Sequence, residues 1–187
     1  KYAFYGCSVL TSVVIPDSVK SIGGSSFRYC KNLTSVTIGN SVKSIGGSSF
    51  EYCENLTSVN YTGTVDQWVQ INFSYDGANP LKYAGKLYIN NELVTEANIT
   101  TATEIKRYAF EGCTSLTSVV IPDGVTSIDY YAFNGCSSLT SVIMPDSVTS
   151  IGASSFWGCT SLTSVVIPKN VTFISRFAFI GTGLKNI

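Results

Sequence analysis

The chain has 187 residues, no histidine and a formal net charge of zero, and only 13% of its residues are charged against 44% hydrophobic. With no basic run there is no electrostatic basis for a phosphate-binding surface, which excludes the nucleic-acid-binding classes. No apolar run approaches the length of about 18 residues that a membrane-spanning helix needs.

Internal repetition organises everything else. The stretch FNGCSSLTSVIMP, Phe133 to Pro145, returns almost unchanged from Phe110 and from Phe156. Earlier copies start at Phe4, Phe27 and Phe50, and a last, shortened one starts at Phe179. The spacing between these phenylalanines is 23 residues throughout, except for one gap of 60. A fixed period of this size reads as a solenoid whose units stack only on their neighbours. We therefore expect residues 1–187 to form a single solenoid with one continuous core. The chain opens in mid-repeat, at KYAF, with no polar capping unit and no leader visible at Lys1. That start reads as a fragment of a longer array.

Within a unit the elements follow in a set order. Leu116, Val119 and Ile121 form an L-x-x-V-x-I run with period-2 alternation, which predicts a strand. Pro122 stops the pairing because it has no N–H to donate, and Asp123–Gly124 supplies a turn. Val125 to Ile128 is a short second strand, and the Ala-Phe-x-Gly-Cys part is long enough only for a single helical or 3-10 turn. Stacked at this period, the Leu, Val, Ile and Phe positions become core columns. Cys7, Cys30, Cys53, Cys113, Cys136 and Cys159 all lie three residues after the repeat Phe. They read as one more packed column, since free Cys behaves as a small buried hydrophobe.

The 60-residue gap continues the register rather than marking a domain boundary. Val65, Trp68 and Phe73 follow Val42, Ile45 and Phe50 by 23 residues, which predicts the same core slots for them. Val94, Ala97 and Ile99 repeat the L-x-x-V-x-I spacing, and Ile105 precedes Phe110 as Ile128 precedes Phe133. This leaves one further coil carrying a hairpin-like insertion at about residues 74–93. Inside it Leu87 to Ile89 and Glu92 to Val94 flank Asn90–Asn91, a pair that tolerates positive φ.

Chemistry has little to stand on. The absence of histidine removes the commonest general base and metal ligand. Cysteines one repeat apart lack zinc-site spacing, and one Asp per coil (Asp17, Asp123, Asp146) reads as a turn residue bonding its own backbone. No phosphate loop or nucleophile elbow is present. We expect no catalytic residues, no cofactor and no metal; the chain is not an enzyme.

What remains is surface. Alternation along the strand turns Ser118, Val120, Ser141, Ile143, Ser164 and Val166 outward, tiling the open face of the sheet with an uncharged, partly aliphatic strip. These are the candidate protein-binding residues. Tyr75, Asn79, Tyr83 and Tyr88 in the insertion, with Trp157 in a variable slot, are candidate ligand contacts, because amphipathic aromatics are enriched in binding surfaces.

The unit FEGCTSLTSVVIPDGVTSIDYYAF and its sisters resemble the BspA-like, or Treponema-type, leucine-rich repeat family. TVDQWVQINF, ANPL and LYINNELVT resemble an insertion that recurs in that family. The resemblance covers essentially the whole chain. It departs at Gly39, where Pro is expected, and in the final GTGLKNI, which is one residue short. It implies a mainly β leucine-rich repeat solenoid of 23-residue coils, with a parallel sheet on the concave face and short second strands. It also implies a cell-surface or extracellular location and adhesion to host or neighbouring-cell proteins. The alternatives are glycan binding through exposed aromatics, or a spacer without a ligand. The expected partner is an extracellular protein or glycan, with no nucleic acid and no membrane insertion; the chain itself is expected to be a monomer, its open ends able to associate end to end.

Overall fold

The computed structural model of the chain describes residues 1–185, so the last two residues of GTGLKNI, and with them part of the expected shortening, lie outside the described residues. The chain divides into two compact units, one covering Lys1–Leu93 and one starting at Val94. Each is a mainly β solenoid.

In the first unit the order is β1 (Ser12–Ile15), β2 (Ser21–Ile22), β3 (Ser35–Ile38), β4 (Ser44–Ile45), β5 (Ser58–Tyr61), α1 (Val65–Trp68), β6 (Asn72–Phe73), α2 (Leu81–Ala84), β7 (Leu87–Ile89) and β8 (Glu92–Leu93). The long strands β1, β3, β5 and β7 pair in parallel, and β8 folds back antiparallel on β7. Register follows the repeat: Val13 lies beside Val36, Val36 beside Val59, and Ile15 beside Ile38. The short strands β2, β4 and β6 make a separate sheet. The second unit has β9 (Glu96–Asn98), β10 (Ser118–Val120), β11 (Ser127–Ile128), β12 (Ser141–Ile143), β13 (Ser150–Ile151) and β14 (Phe173–Ile174). There β9, β10 and β12 form the long-strand sheet, and β11, β13 and β14 the short-strand one, with Ile105 bridged to Ile128.

The predicted columns are the core. Leu33, Val36, Ile38, Phe50, Leu116, Val119, Phe133 and Leu139 are all buried. The Phe rings stack nearly parallel, with centroids 5.1 Å apart for Phe4 and Phe27 and 5.2 Å apart for Phe133 and Phe156. Burying one such side chain fully stabilises by about 1.5–3 kcal/mol, so a coil with several of them depends on both neighbours.

The gap is built differently from its predicted register. β6 pairs with β4 so that Phe73, not Trp68, faces Ile45. Trp68 is nonetheless core, fully buried at the end of α1 and against the rings of Tyr61 (5.4 Å) and Phe73 (5.6 Å). A capping box starts α1: Thr64 Oγ1 accepts from the Gln67 N–H while the Gln67 side chain accepts from the Thr64 N–H. This short helix replaces the Pro-Asp turn and lengthens its coil.

Residues 78–89, expected as an excursion, are a coil in register. The Phe50 N–H donates to Gly77 O as Phe27 donates to Ser49 O, which places Ala78 in the Phe slot. Leu81 then takes the Cys slot, Ala84 the Leu slot and Leu87 the Val slot, and Leu87 lies beside Val59 as that slot requires. Large and small side chains have exchanged places, so the motif is hidden although the backbone repeats. The hairpin itself forms as predicted: Asn90 and Asn91 have φ of 50° and 70°, the conformation a two-residue type I′ turn needs.

Asn79 is also resolved here. It is fully buried, and its Oδ1 accepts from the Leu81 N–H at 2.9 Å, holding the entry of α2. It cannot meet a ligand from that position, so it is a fold residue and not a contact residue.

Two left-handed turns close every coil that carries the repeat Phe. One lies two residues before the repeat Phe, as at Tyr108 and Ser154; the other lies two after it, as at Gly112 and Gly158. In two coils the second position is not glycine but Tyr29 and Tyr52, at φ of 62° and 63°. Gly39 has a different reason for being glycine. A Cβ there would come within 2.7 Å of both the Asp17 carboxylate and the Pro16 backbone.

The cysteine column carries bonds as well as volume. The thiols of Cys30, Cys53, Cys136 and Cys159 each donate to the carbonyl of the preceding coil's repeat Phe, at 3.1–3.2 Å. Burial pushes the thiols of Cys53 and Cys159 up to about 12 from 9.0, and the Tyr61 phenol up to about 12 from 10.0.

Two measurements follow from this core. Asn79→Ala leaves a buried N–H without its acceptor and should lower the unfolding free energy by about 1–3 kcal/mol in urea titrations. The raised thiol and phenol values mean that the fold holds the neutral forms. Their stabilisation is complete below the unfolded value and is lost as pH climbs toward the folded one. Unfolding free energy should therefore fall between pH 9.0 and about 12, by about 1.4 kcal/mol per pH unit for each titrating group. Cys53→Ala should make that slope shallower.

Candidate functional site

Each strand of the long-strand sheets exposes one slot between two core slots. In the second unit that slot holds Asn98, Val120 and Ile143, placed side by side by the register of β9, β10 and β12. Val120 is 36% and Ile143 58% exposed, so two β-branched side chains share an open face. Ser118 and Ser141 pair in the same way two residues earlier. Val166 departs from the expected sheet column. Val165 and Leu162 keep their core slots and Val166 is 80% exposed, but among the described residues no strand contains positions 164–167. Val166 is thus surface next in sequence to the strip, while Ser164 is an exposed β-bridge residue.

The same slot in the first unit holds Val14, Thr37, Asn60 and Tyr88, aligned across β1, β3, β5 and β7. Here the face turns polar. Asn60 Oδ1 accepts from the Asn91 N–H at 2.9 Å, which ties the hairpin turn to the sheet. Thr37 and Asn60 were readable as outward residues in the sequence; the arrival of Tyr88 and Asn91 beside them was not, because the coil carrying them is hidden.

The expected insertion contacts do not converge. Tyr75 is well exposed and its ring lies over Gly47, 3.3 Å from where a Cβ would stand. Tyr83 is half-buried, and burial raises its phenol. Tyr88 belongs to the sheet face. Trp157, in the second unit, is 45% exposed beside Gly181.

A further cluster, passed over in the sequence, is built around Arg28. Its guanidinium lies 5.1 Å and 5.5 Å from the ring centroids of Tyr29 and Tyr52 and pairs with Glu51 at 3.0 Å. The two rings are stacked at 4.7 Å, and Tyr5 meets Tyr29 edge-on at 5.6 Å. These rings cover one another, so the cluster stabilises the two strained turns more than it offers open ring faces.

Asp17 and Asp146, and three of the amides, bond across coils. Asp17 Oδ1 accepts from the Asn40 N–H and the Thr62 hydroxyl, both at 2.9 Å, and Asp146 pairs with Lys169 at 2.8 Å. The side-chain amides of Asn32, Asn55 and Asn170 each donate at 2.8 Å to a carbonyl of the coil before. Among the described residues no group of three or more Cys, Asp and Glu is placed to hold a metal ion. None of their helices is long and apolar enough to cross a membrane.

Comparison with known proteins agrees with this architecture. The BspA type leucine rich repeat region matches residues 1–101 and 82–187, in six copies. A leucine rich cell surface protein from Faecalibacterium prausnitzii A2-165 is 30% identical over 94% of this chain, with a TM-score of 0.59. The chain spans 48% of that protein. The pneumococcal vaccine antigen PcpA is 16% identical, with a TM-score of 0.50 over 94% of this chain and 61% of its own; the likeness is one of fold. No curated protein matches the sequence. With the family matched from end to end and its coils laid out in register, the chain belongs to the BspA-type leucine-rich repeat family.

Proposed function

We propose that the chain is a non-enzymatic recognition module of the bacterial cell surface that binds a protein partner through the open sheet face of its second unit. The observation that carries this reading is the pairing of Val120 with Ile143 on an exposed strand face. Exposed apolar side chains scattered singly are ordinary, whereas aligned ones mark interaction surfaces. Ser118 and Ser141 supply hydroxyls along the same strip, and no charge interrupts it between β10 and β12. The strands beneath are held on both sides by core columns, so the face is presented rigidly and little ordering cost is left for binding. A surface location is supported by the family, and by the F. prausnitzii neighbour, which is described as a cell surface protein.

The test is binding to immobilised extracellular-matrix proteins, compared between the parent chain and a Val120→Lys, Ile143→Lys variant. Both positions are exposed, so the variant should keep its melting temperature. Its affinity should fall by about tenfold or more if these side chains are the centre of the contact. A folded double variant that binds as the parent does would remove this face from the function.

A further inference from the structure

The sheet face of the first unit has a chemistry of its own. Ser35, Thr37, Ser58, Asn60, Tyr88 and Asn91 surround a shallow concavity of about 280 Å³. All but Asn91 are half-buried. The Asn91 N–H holds Asn60 Oδ1, so the Asn60 amide is fixed in orientation and its NH₂ is the group left over. No charged residue lines the concavity.

These facts narrow the ligand class. An anion would find no cation, and a metal or an amine would find no carboxylate. A wholly apolar ligand would strip water from four hydroxyls and an amide and return no hydrogen bond, at a cost for each group. A peptide strand cannot add itself here, because β5 is already paired on both edges, by β3 and by β7. What fits is a neutral molecule with hydroxyls around its rim and one apolar C–H face, against a wall with hydroxyls, an amide and one aromatic ring.

We propose that this concavity is a saccharide-binding site, in which the Tyr88 ring carries the C–H face of a neutral sugar and Thr37, Asn60, Ser35 and Ser58 meet its hydroxyls. The site is preformed. Thr37, Asn60 and Tyr88 stand on three neighbouring parallel strands, and Asn91 stands in a turn fixed by its own φ. It is separate from the apolar strip of the second unit and does not depend on it.

Saturation-transfer NMR tests the proposal. The probes are glucose, galactose, mannose, N-acetylglucosamine and N-acetylgalactosamine, each as the free sugar and as short neutral oligosaccharides. At least one should receive signal at its ring C–H protons. That signal should drop by about tenfold in Asn60→Ala and in Tyr88→Ala, the equivalent of one good hydrogen bond or ring contact. It should persist in Trp157→Ala and in Val120→Lys, Ile143→Lys. Should Tyr88→Ala melt the edge of the sheet, Thr37→Arg decides. It fills the concavity from a half-buried slot without removing a strand bond, and it should abolish the signal while the circular dichroism melt is unchanged. No signal from any probe, a signal that survives Thr37→Arg, or a signal confined to sulfated or sialylated sugars added as controls would overturn the proposal.

Discussion

In this protein the backbone hydrogen bonds that matter run from one coil to the next. The Thr34 N–H donates back to Thr11 O and the Thr57 N–H to Thr34 O, while the Phe4 N–H donates forward to Ser26 O and the Phe27 N–H to Ser49 O. Strands of two to four residues have no stability alone. Each is held because its partner stands one repeat away, and the partner's partner one repeat further. Like is therefore laid on like. Phe rings lie on Phe rings, thiols point at the carbonyls of the coil before, and threonine hydroxyls double the bonds of their own N–H groups, as at Thr117 and Thr140. The low charge of the chain follows from the same constraint. A charged residue in a repeating slot would face its own sign about 5 Å away on both sides. Some charges alternate between adjacent coils, as Arg28 with Glu51 or Asp146 with Lys169, while Lys20 and Lys43, or Asp123 and Asp146, repeat the same sign in one slot.

This explains how much of the molecule could be read beforehand. The period shows the neighbours of every regular coil, so the columns of Leu, Val, Ile, Phe and Cys were legible to the residue. What was not legible is a coil that keeps the backbone and changes its volumes. With Ala78 for Phe, Leu81 for Cys and Ala84 for Leu, residues 78–89 lose the motif but not the register. Their hydrogen bonds are made by the backbone, which sequence pattern does not display. Asn79 misled for a related reason. An Asn in a polar stretch resembles a surface residue until α2 is seen to need an acceptor at its start. Of the candidate site, the apolar strip of Val120 and Ile143 was visible from alternation alone. The polar concavity was not, because two of its walls, Tyr88 and Asn91, reach it only through the hidden coil.

Tyr29 and Tyr52 show what a departure from the repeat costs and what compensates it. A non-glycine residue in the left-handed region costs of order 1 kcal/mol or more, and five other coils avoid this with Gly6, Gly112, Gly135, Gly158 and Gly181. The two tyrosines occur in consecutive coils, where their rings stack on each other and on the guanidinium of Arg28. The ring-on-ring contact does not exist for a single tyrosine in this slot. The pair is tolerated as a pair, and the repeat supplies the alignment that makes it one.

The same alignment separates scaffold from function. In β3 the side chains of Val36 and Ile38 are buried, while Thr37 between them reaches the open face. A substitution there leaves the backbone-to-backbone hydrogen bonds between coils in place, and exposed strand positions differ by only about 1 kcal/mol across side chains. The column Val14, Thr37, Asn60, Tyr88 and the column Asn98, Val120, Ile143 are two fillings of one slot, one made to exchange hydrogen bonds and one made to exclude water. A solenoid built on this rule can change the class of ligand it meets from one stretch of coils to the next. Its fold tolerates the change because the side chains of the open slot make none of the backbone-to-backbone hydrogen bonds that join the coils.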